Sequence, residues 1–342
     1  MNRRTFLNRG ALLGTAAMAA AAPARAAPPH SKMGIAATSY LSFAKPIDTL
    51  EFLEHANVLG AGGIQMHLAY HEAGYAHKLR ARAEQLGMYF EAMASLPEKD
   101  DSAAFEQTAV AAKEAGARAI RVNCLPGRRY ENFTHLADWQ RAVARSRAAL
   151  DVALRIVERL QVPLAIENHK DFTAGEMAAL MKEKSSRWLG VCLDTGNNIA
   201  LLDDPIEAVE ALAPYALATH VKDMGVEAYP DGFLLSEMPL GEGMLDMRRI
   251  VDTIHKARPE TRFTLEMITR DPLKVPCLTD KYWATFPERR ERYLARALRM
   301  VREQQGRQPL PVVSGLPREA QLRLEEDNVK QSLSYARGRL GL

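Results

Sequence analysis

Short apolar runs alternate with longer segments of helical period along most of this chain. Eight of the runs read as strands: Gly34–Tyr40, Gly63–His67, Met88–Ser95, Ala119–Cys124, Pro163–Asn168, Leu189–Thr195, Leu217–Asp223 and Phe263–Ile268. Between them, apolar positions recur at the spacing of a helix face. Thr49–Leu59 carries Leu50, Leu53 and Val58 in this way, and Leu136–Leu160 is a long, Ala- and Arg-rich amphipathic stretch. Pro205–Leu212 and Met247–Ala257 close later repeats. Gly60, Gly87 and Gly116 stand directly after helical stretches, where glycine commonly ends a helix.

Eight strand–helix repeats predict an α/β fold, a closed parallel (β/α)8 TIM barrel over residues 33–305, rather than an open doubly wound sheet. No Gly-rich dinucleotide fingerprint follows the first strand, which weakens the open-sheet alternative. The pattern changes after Gly306. Gln308–Pro317 reads as a Pro-rich linker and Arg318–Leu342 as one amphipathic helix, so 306–342 forms a linker and C-terminal helical extension. That helix is expected to pack on the barrel or on a partner subunit, which leaves a homo-oligomer open.

Four of the strand runs end on a metal-type ligand: Glu167, Asp194, His220 and Glu266. The gaps of 27 and 26 residues equal about one strand-plus-helix repeat each, and the third, 46, adds an inserted loop. In a barrel of this kind the C-terminal strand ends form the active site. Two Glu, one Asp and one His make a hard, oxygen-rich set with one nitrogen. It favours Mn²⁺, with Mg²⁺, Co²⁺ or Zn²⁺ as alternatives, over a structural zinc site.

The N-terminus adds a destination. Asn2-Arg3-Arg4-Thr5-Phe6-Leu7 is a twin-arginine pattern, Leu12 to Ala22 is mildly apolar, and Ala24-Arg25-Ala26 offers a cleavage site. Residues 1–27 are therefore expected to be a twin-arginine signal peptide, handled by the twin-arginine export machinery and removed to leave a periplasmic protein. The apolar run falls short of the roughly 20 strongly apolar residues of a membrane span, so no anchor is expected in the mature form. Formal charge is near balance at +3, which gives no reason to propose nucleic acid as a partner. Three cysteines, Cys124, Cys192 and Cys277, argue against a disulfide framework and read as small buried side chains.

Here the motifs meet a family. Ile166-Glu167-Asn168-His169, Leu193-Asp194-Thr195-Gly196-Asn197, His220-Val221-Lys222-Asp223 and Leu265-Glu266 resemble the xylose-isomerase-like sugar phosphate isomerase/epimerase superfamily, which includes ketose 3-epimerases, inosose dehydratases and endonuclease IV relatives. The Gly241-Glu242-Gly243 turn before Asp246 also looks like the family's loop ahead of the last helix–strand unit. The resemblance covers about Met33 to Gln304. It implies that Glu167, Asp194, His220 and Glu266 bind the metal. It further implies that Glu167 and Glu266 act as the acid/base pair on opposite faces of a sugar or cyclitol, through a metal-stabilised enediolate.

The chain departs from the epimerase pattern in two places. Asn197 stands where the epimerases carry a substrate-binding His, and Lys222-Asp223 follow the metal His where they carry an Arg. Both strings are closer to the inosose dehydratase side. Lys222 is expected either to serve catalysis, by protonating a leaving hydroxyl or stabilising an enolate, or to pair with Asp223 or Glu266. His169 is a further catalytic or substrate-contact candidate. Gln65, His67 and Glu91 line the mouth or are satisfied core residues. The loop after the eighth strand offers Arg270 and Lys281 for substrate oxygens and Tyr282 and Trp283 as a stacking platform, or else it packs on the barrel rim. The expected activity is that of a metal-dependent sugar isomerase or epimerase. The alternative is a lyase of the inosose dehydratase or keto-glycoside type, which shares the enolate step. Because sugar phosphates are scarce outside the cytoplasm, an exported enzyme points to a free or oxidised sugar, cyclitol or glycoside.

Overall fold

The computed structural model describes residues 31–342 apart from 98–100 and 287. The leader expected at residues 1–27 lies outside the described residues.

The first seven strands are β1 (Gly34–Ala36), β2 (Gly63–His67), β3 (Tyr89–Met93), β4 (Ile120–Val122), β5 (Leu164–Glu167), β6 (Leu189–Asp194) and β7 (Ala216–His220). The chain then leaves the barrel as an antiparallel hairpin, β8 (Asp223–Tyr229) and β9 (Gly232–Met238). It returns as the eighth barrel strand, β10 (Thr264–Leu265), and β11 (Leu273–Val275) then joins the free edge of the hairpin. The barrel strands are all parallel and run in the order β10, β1, then β2 to β7. Between β7 and β10 the ring closes through one bridge, Val221 to Leu265. There Val221 N–H donates to Thr264 O at 2.8 Å and Glu266 N–H to Val221 O at 3.0 Å.

All eight sequence-predicted barrel strands are present, each on its expected segment. The first is shorter than expected because the chain turns into a 3-10 helix at Ala37–Tyr40. The helix Leu136–Leu160 has the expected bounds, and Gly87 ends the helix Ala73–Leu86 with φ 66°, a left-handed conformation that glycine adopts without steric cost. The sequence reading missed the hairpin. The 46-residue gap holds the antiparallel hairpin β8–β9 rather than an irregular loop, and β11, beyond the gap, completes a three-stranded sheet with it. Its hydrophobic face, with Phe233, Leu235 and Val275 fully buried, makes a second core together with Tyr282, Trp283 and Val301.

Arg318–Tyr335 is helical as expected and ends in a wider π turn at Ala336–Leu340. It packs on the barrel. Glu325 accepts from the Phe43 and Ala44 N–H groups at 3.0 and 2.7 Å, Tyr40 Oη donates to Glu326 at 2.8 Å, and Asn328 donates to Thr269 Oγ1 at 2.8 Å. Val329 and Leu333 join the main core. The helix therefore clasps the segments that follow β1 and β10, both on the face that carries the strand-end ligands. The buried cysteines are all free, as expected.

Candidate metal centre

Glu167, Asp194 and His220 are the last residues of β5, β6 and β7, and Glu266 directly follows β10. The register sets Asp194 opposite His220. All four are buried, and one ligand atom from each lies within 4.8 Å of the others. His220 Nδ1 stands 3.3 Å from Glu266 Oε1, 3.5 Å from Glu167 Oε2 and 3.9 Å from Asp194 Oδ2. Ligands about 2.1 Å from an octahedral cation stand about 3 to 4.2 Å apart, so these separations fit a single divalent ion. His220 Nδ1 itself has no hydrogen-bond partner despite full burial.

The other imidazole nitrogen explains that orientation. His220 Nε2 lies 2.5 Å from Gln65 Oε1, and Gln65 Nε2 donates to Glu91 Oε2 at 2.9 Å. Glu91 fixes the amide, the amide oxygen must accept, and His220 must donate through Nε2. This leaves Nδ1 bare for a metal, the usual way in which an outer partner orients a histidine ligand. Gln65 and Glu91 are thus buried rather than part of the mouth; Glu91 Oε2 is hydrogen-bonded while its Oε1 has no partner.

Each carboxylate is also held by cations or amides. Arg121 donates to Glu167 Oε2, and Asn197 Nδ2 donates to Glu167 Oε1 at 2.9 Å. Asp194 Oδ1 accepts from Gly196 and Asn197 N–H at 2.9 and 2.7 Å. Lys222 Nζ lies 2.9 Å from Asp194 Oδ2 and 2.5 Å from Glu266 Oε2, and Thr38 Oγ1 donates to Glu266 Oε1 at 2.7 Å. Burial pushes Glu167 and Glu266 up, but the charges of Arg121 beside Glu167 and of Lys222 beside Glu266 work against it, and both are held below the usual carboxylate range. For Lys222, burial pulls down and the Asp194 and Glu266 carboxylates win, so the ammonium is retained.

A cavity of about 410 Å³ opens against Glu167 and Glu266, two of the four ligands, within the size range of small-molecule sites. His169, Asn197, Lys222 and Arg270, all singled out in the sequence, line it together. His169 Nδ1 lies 3.1 Å from Gly127 O. Since a carbonyl only accepts, that nitrogen carries the proton, and Nε2 is the bare one on a neutral ring. Burial and the nearby Lys170 charge push His169 down to about 3, so the ring is neutral at pH 7. Arg270 is held by Glu237 at 2.6 Å.

Several expectations need correction. Of the two expected partners, Lys222 pairs with Glu266 and not with Asp223. Adjacent residues on an extended segment point to opposite sides, and Asp223 instead accepts from the N–H groups of Met224, Gly241, Gly243 and Leu245 at 2.8 to 3.0 Å. That contact accounts for the Gly241-Glu242-Gly243 turn, because a Cβ on Gly243 would fall 2.2 Å from the Asp223 carboxylate. Tyr282 and Trp283 offer no stacking platform. Both are buried beneath the hairpin, with Tyr282 Oη donating to Ala200 O and Trp283 Nε1 to Cys277 O, each at 2.8 Å. Lys281 is exposed and His67 ends β2 outside the metal cavity.

The sequence reading missed Thr38, Arg121, Lys170 and Glu237. Arg121 left a usable signal, a charge between Ile120 and Val122 in a strand buried on both sides. Glu237 sits on the unpredicted hairpin and left none.

A curated relative, the 3-oxo-isoapionate decarboxylase of Pectobacterium atrosepticum, is 30% identical over 135 residues, 39% of this chain and 46% of the relative. The chain spans about half the length of the curated relatives it matches. Among solved structures, D-psicose 3-epimerase in the presence of D-fructose superposes with a TM-score of 0.57 at 15% identity, over 91% of this chain and 99% of that one. The IOLI protein with a binding zinc atom superposes with a TM-score of 0.52 at 14% identity, over 79% of this chain and 95% of that one. At these identities the two structures speak for the fold alone. The model of the xylose isomerase-like TIM barrel family matches residues 53–304, and with the eight-stranded parallel barrel this chain belongs to that family.

Proposed function

We propose that the protein is a divalent-metal-dependent isomerase or epimerase of a small sugar or cyclitol, working by removal of a proton from the carbon beside a carbonyl. The observation that carries this reading is the bare His220 Nδ1 facing three buried carboxylates, two of which, Glu167 and Glu266, line an open cavity. Glu167, Asp194, His220 and Glu266 would hold the cation, with Mn²⁺ the first candidate and Mg²⁺, Co²⁺ or Zn²⁺ alternatives. When bound, it would supply Lewis acidity against the negative charge that develops on the carbonyl and its neighbouring hydroxyl. Glu167 and Glu266 are ionised at neutral pH, the state a base needs. Arg121 and Thr38 set the direction of their carboxylates, and Lys222 offsets charge next to Glu266. The catalytic unit in this reading is the barrel, residues 33–305.

A lyase reading shares the first step. It is supported by the neutral His169 beside Lys170 on the cavity wall, two groups able to exchange a proton with a departing oxygen. The decarboxylase relative supports it too, since loss of carbon dioxide from a 3-oxo acid also leaves an enolate. A screen of keto-sugars and 3-keto-glycosides in D₂O, with protein stripped of metal and reloaded with Mn²⁺, separates the readings. Deuterium is expected at the carbon beside the carbonyl, only in the loaded protein, and not in E167Q or E266Q. Loss of water, aglycone or carbon dioxide alongside exchange would favour the lyase. Exchange that survives in both variants would refute the assignment.

A further inference from the structure

Lys170 is a buried cation on the wall of the metal cavity. Among the described residues it has no carboxylate within ion-pair distance; its Nζ donates to the amide oxygen of Asn197. Each of the other cations lining that cavity has a carboxylate partner: Arg121, Arg128, Lys222 and Arg270 are all ion-paired. A buried charge without a counter-ion is costly and is seldom left so without a use.

The ammonium is also held in place. Asn168 exchanges two hydrogen bonds with the Asp194 backbone, both 2.8 Å, and Asp171 accepts from Leu125 N–H at 3.1 Å. The Lys170 carbonyl accepts from Arg129 N–H at 2.8 Å. The segment after β5 is therefore pinned on both sides of Lys170, and a preorganised charge of this kind suits recognition. Asn197 bridges Lys170 to Glu167, so the cation stands one amide away from the ligand cluster.

We propose that Lys170 receives the carboxylate of the substrate, which is then a keto-sugar acid rather than a neutral ketose. This deepens the functional reading above and rests on it. One ammonium matches the single charge of a carboxylate. The next helix along the chain starts at Ala174, and two of its first N–H groups are already taken, Ala174 N–H by Asp203 at 2.8 Å and Glu176 N–H by Thr173 at 3.2 Å, which leaves it poorly placed to add donors for a phosphate.

The test is calorimetric binding of keto-sugar acids, neutral ketoses of matched carbon number and ketose phosphates to the Mn²⁺-loaded protein, wild type and K170M, with K170R as the charge-keeping control. At least one acid is expected to bind about tenfold or more tighter than its neutral counterpart. K170M should lose that preference, with acid affinity falling far more than neutral affinity, and K170R should keep part of it. Wild type showing no preference for acids, a preference that survives in K170M, or tighter binding of the phosphates would overturn the proposal. The wild-type comparison stands even if K170M fails to fold. Deuterium exchange on neutral ketoses without acid preference sinks this inference alone. Acid binding through Lys170 with no exchange on any substrate sinks the enzymatic reading instead.

Discussion

Gln65 Oε1 accepts from His220 Nε2 at 2.5 Å, from the opposite side of the barrel interior, and so decides which histidine nitrogen meets the carboxylates. Q65L keeps the side-chain volume and removes the acceptor. Mn²⁺ affinity is expected to fall about 10–100-fold, the usual effect of losing an outer partner of a ligand. Titration calorimetry on metal-stripped protein checks this. Unchanged affinity would mean that Gln65 is only a satisfied core amide.

Three buried carboxylates against one lysine and one arginine leave a metal-free centre short of positive charge. Adding Mn²⁺ should therefore raise the melting temperature, by mass action worth about 2.7 kcal/mol at a hundredfold excess over Kd. D194N should abolish that rise at the same Mn²⁺ concentration. A rise of equal size in D194N would place the ion elsewhere.

Lys222 neutralises Asp194 and Glu266 together, and removing one member of a buried ion pair typically costs about 3–5 kcal/mol. K222M is expected to lose about that much in urea unfolding without metal. With saturating Mn²⁺ the loss should shrink, because the cation takes over part of the neutralisation. A loss of the same size in both conditions contradicts the shared electrostatic role.

The C-terminal helix supplies a pH dependence away from the metal. Burial works against the Glu326 carboxylate, but hydrogen bonds from His55 and Tyr40 win and lower it from 4.5 to about 2. A carboxylate depressed on folding stabilises fully above its unfolded value. That contribution is lost as pH falls from about 4.5 towards about 2. E326Q should cost on the order of 1–2 kcal/mol at pH 7 and almost nothing near pH 2, as expected for hydrogen bonds to a charged group. Neighbouring Glu325 titrates in the opposite sense, since burial raises it, so the comparison of interest is wild type against E326Q at each pH. A difference that does not narrow on acidification would contradict this role.

Export is proposed from residues 1–27 alone. In a bacterial host with a twin-arginine system, the periplasmic fraction should hold protein beginning near Ala27, and replacing Arg3 and Arg4 with Lys should retain the full chain in the cytoplasm. Cell fractionation with N-terminal sequencing decides it.

Much of this site was legible in the sequence, for a physical reason. Parallel strands share one polarity, so a residue at the end of one C-terminal run must lie on the same face as a residue at the end of the next. Glu167, Asp194, His220 and Glu266 could thus be grouped from spacing, and the 3.6-residue period fixed the intervening helices. What spacing cannot carry is reach across the ring. That Gln65 turns His220, that Arg121 holds Glu167, and that Lys222 serves Asp194 and Glu266 instead of Asp223 depend on interior depth and side-chain direction. The hairpin after β7 and the burial of Tyr282 and Trp283 beneath it also lay beyond local period, because their core forms between segments distant in the chain. The sequence alone determined the barrel and its ring of ligands; only the tertiary structure decided which charges are paired there, and that Lys170 is not, because pairing is settled by distances across the barrel rather than along the chain.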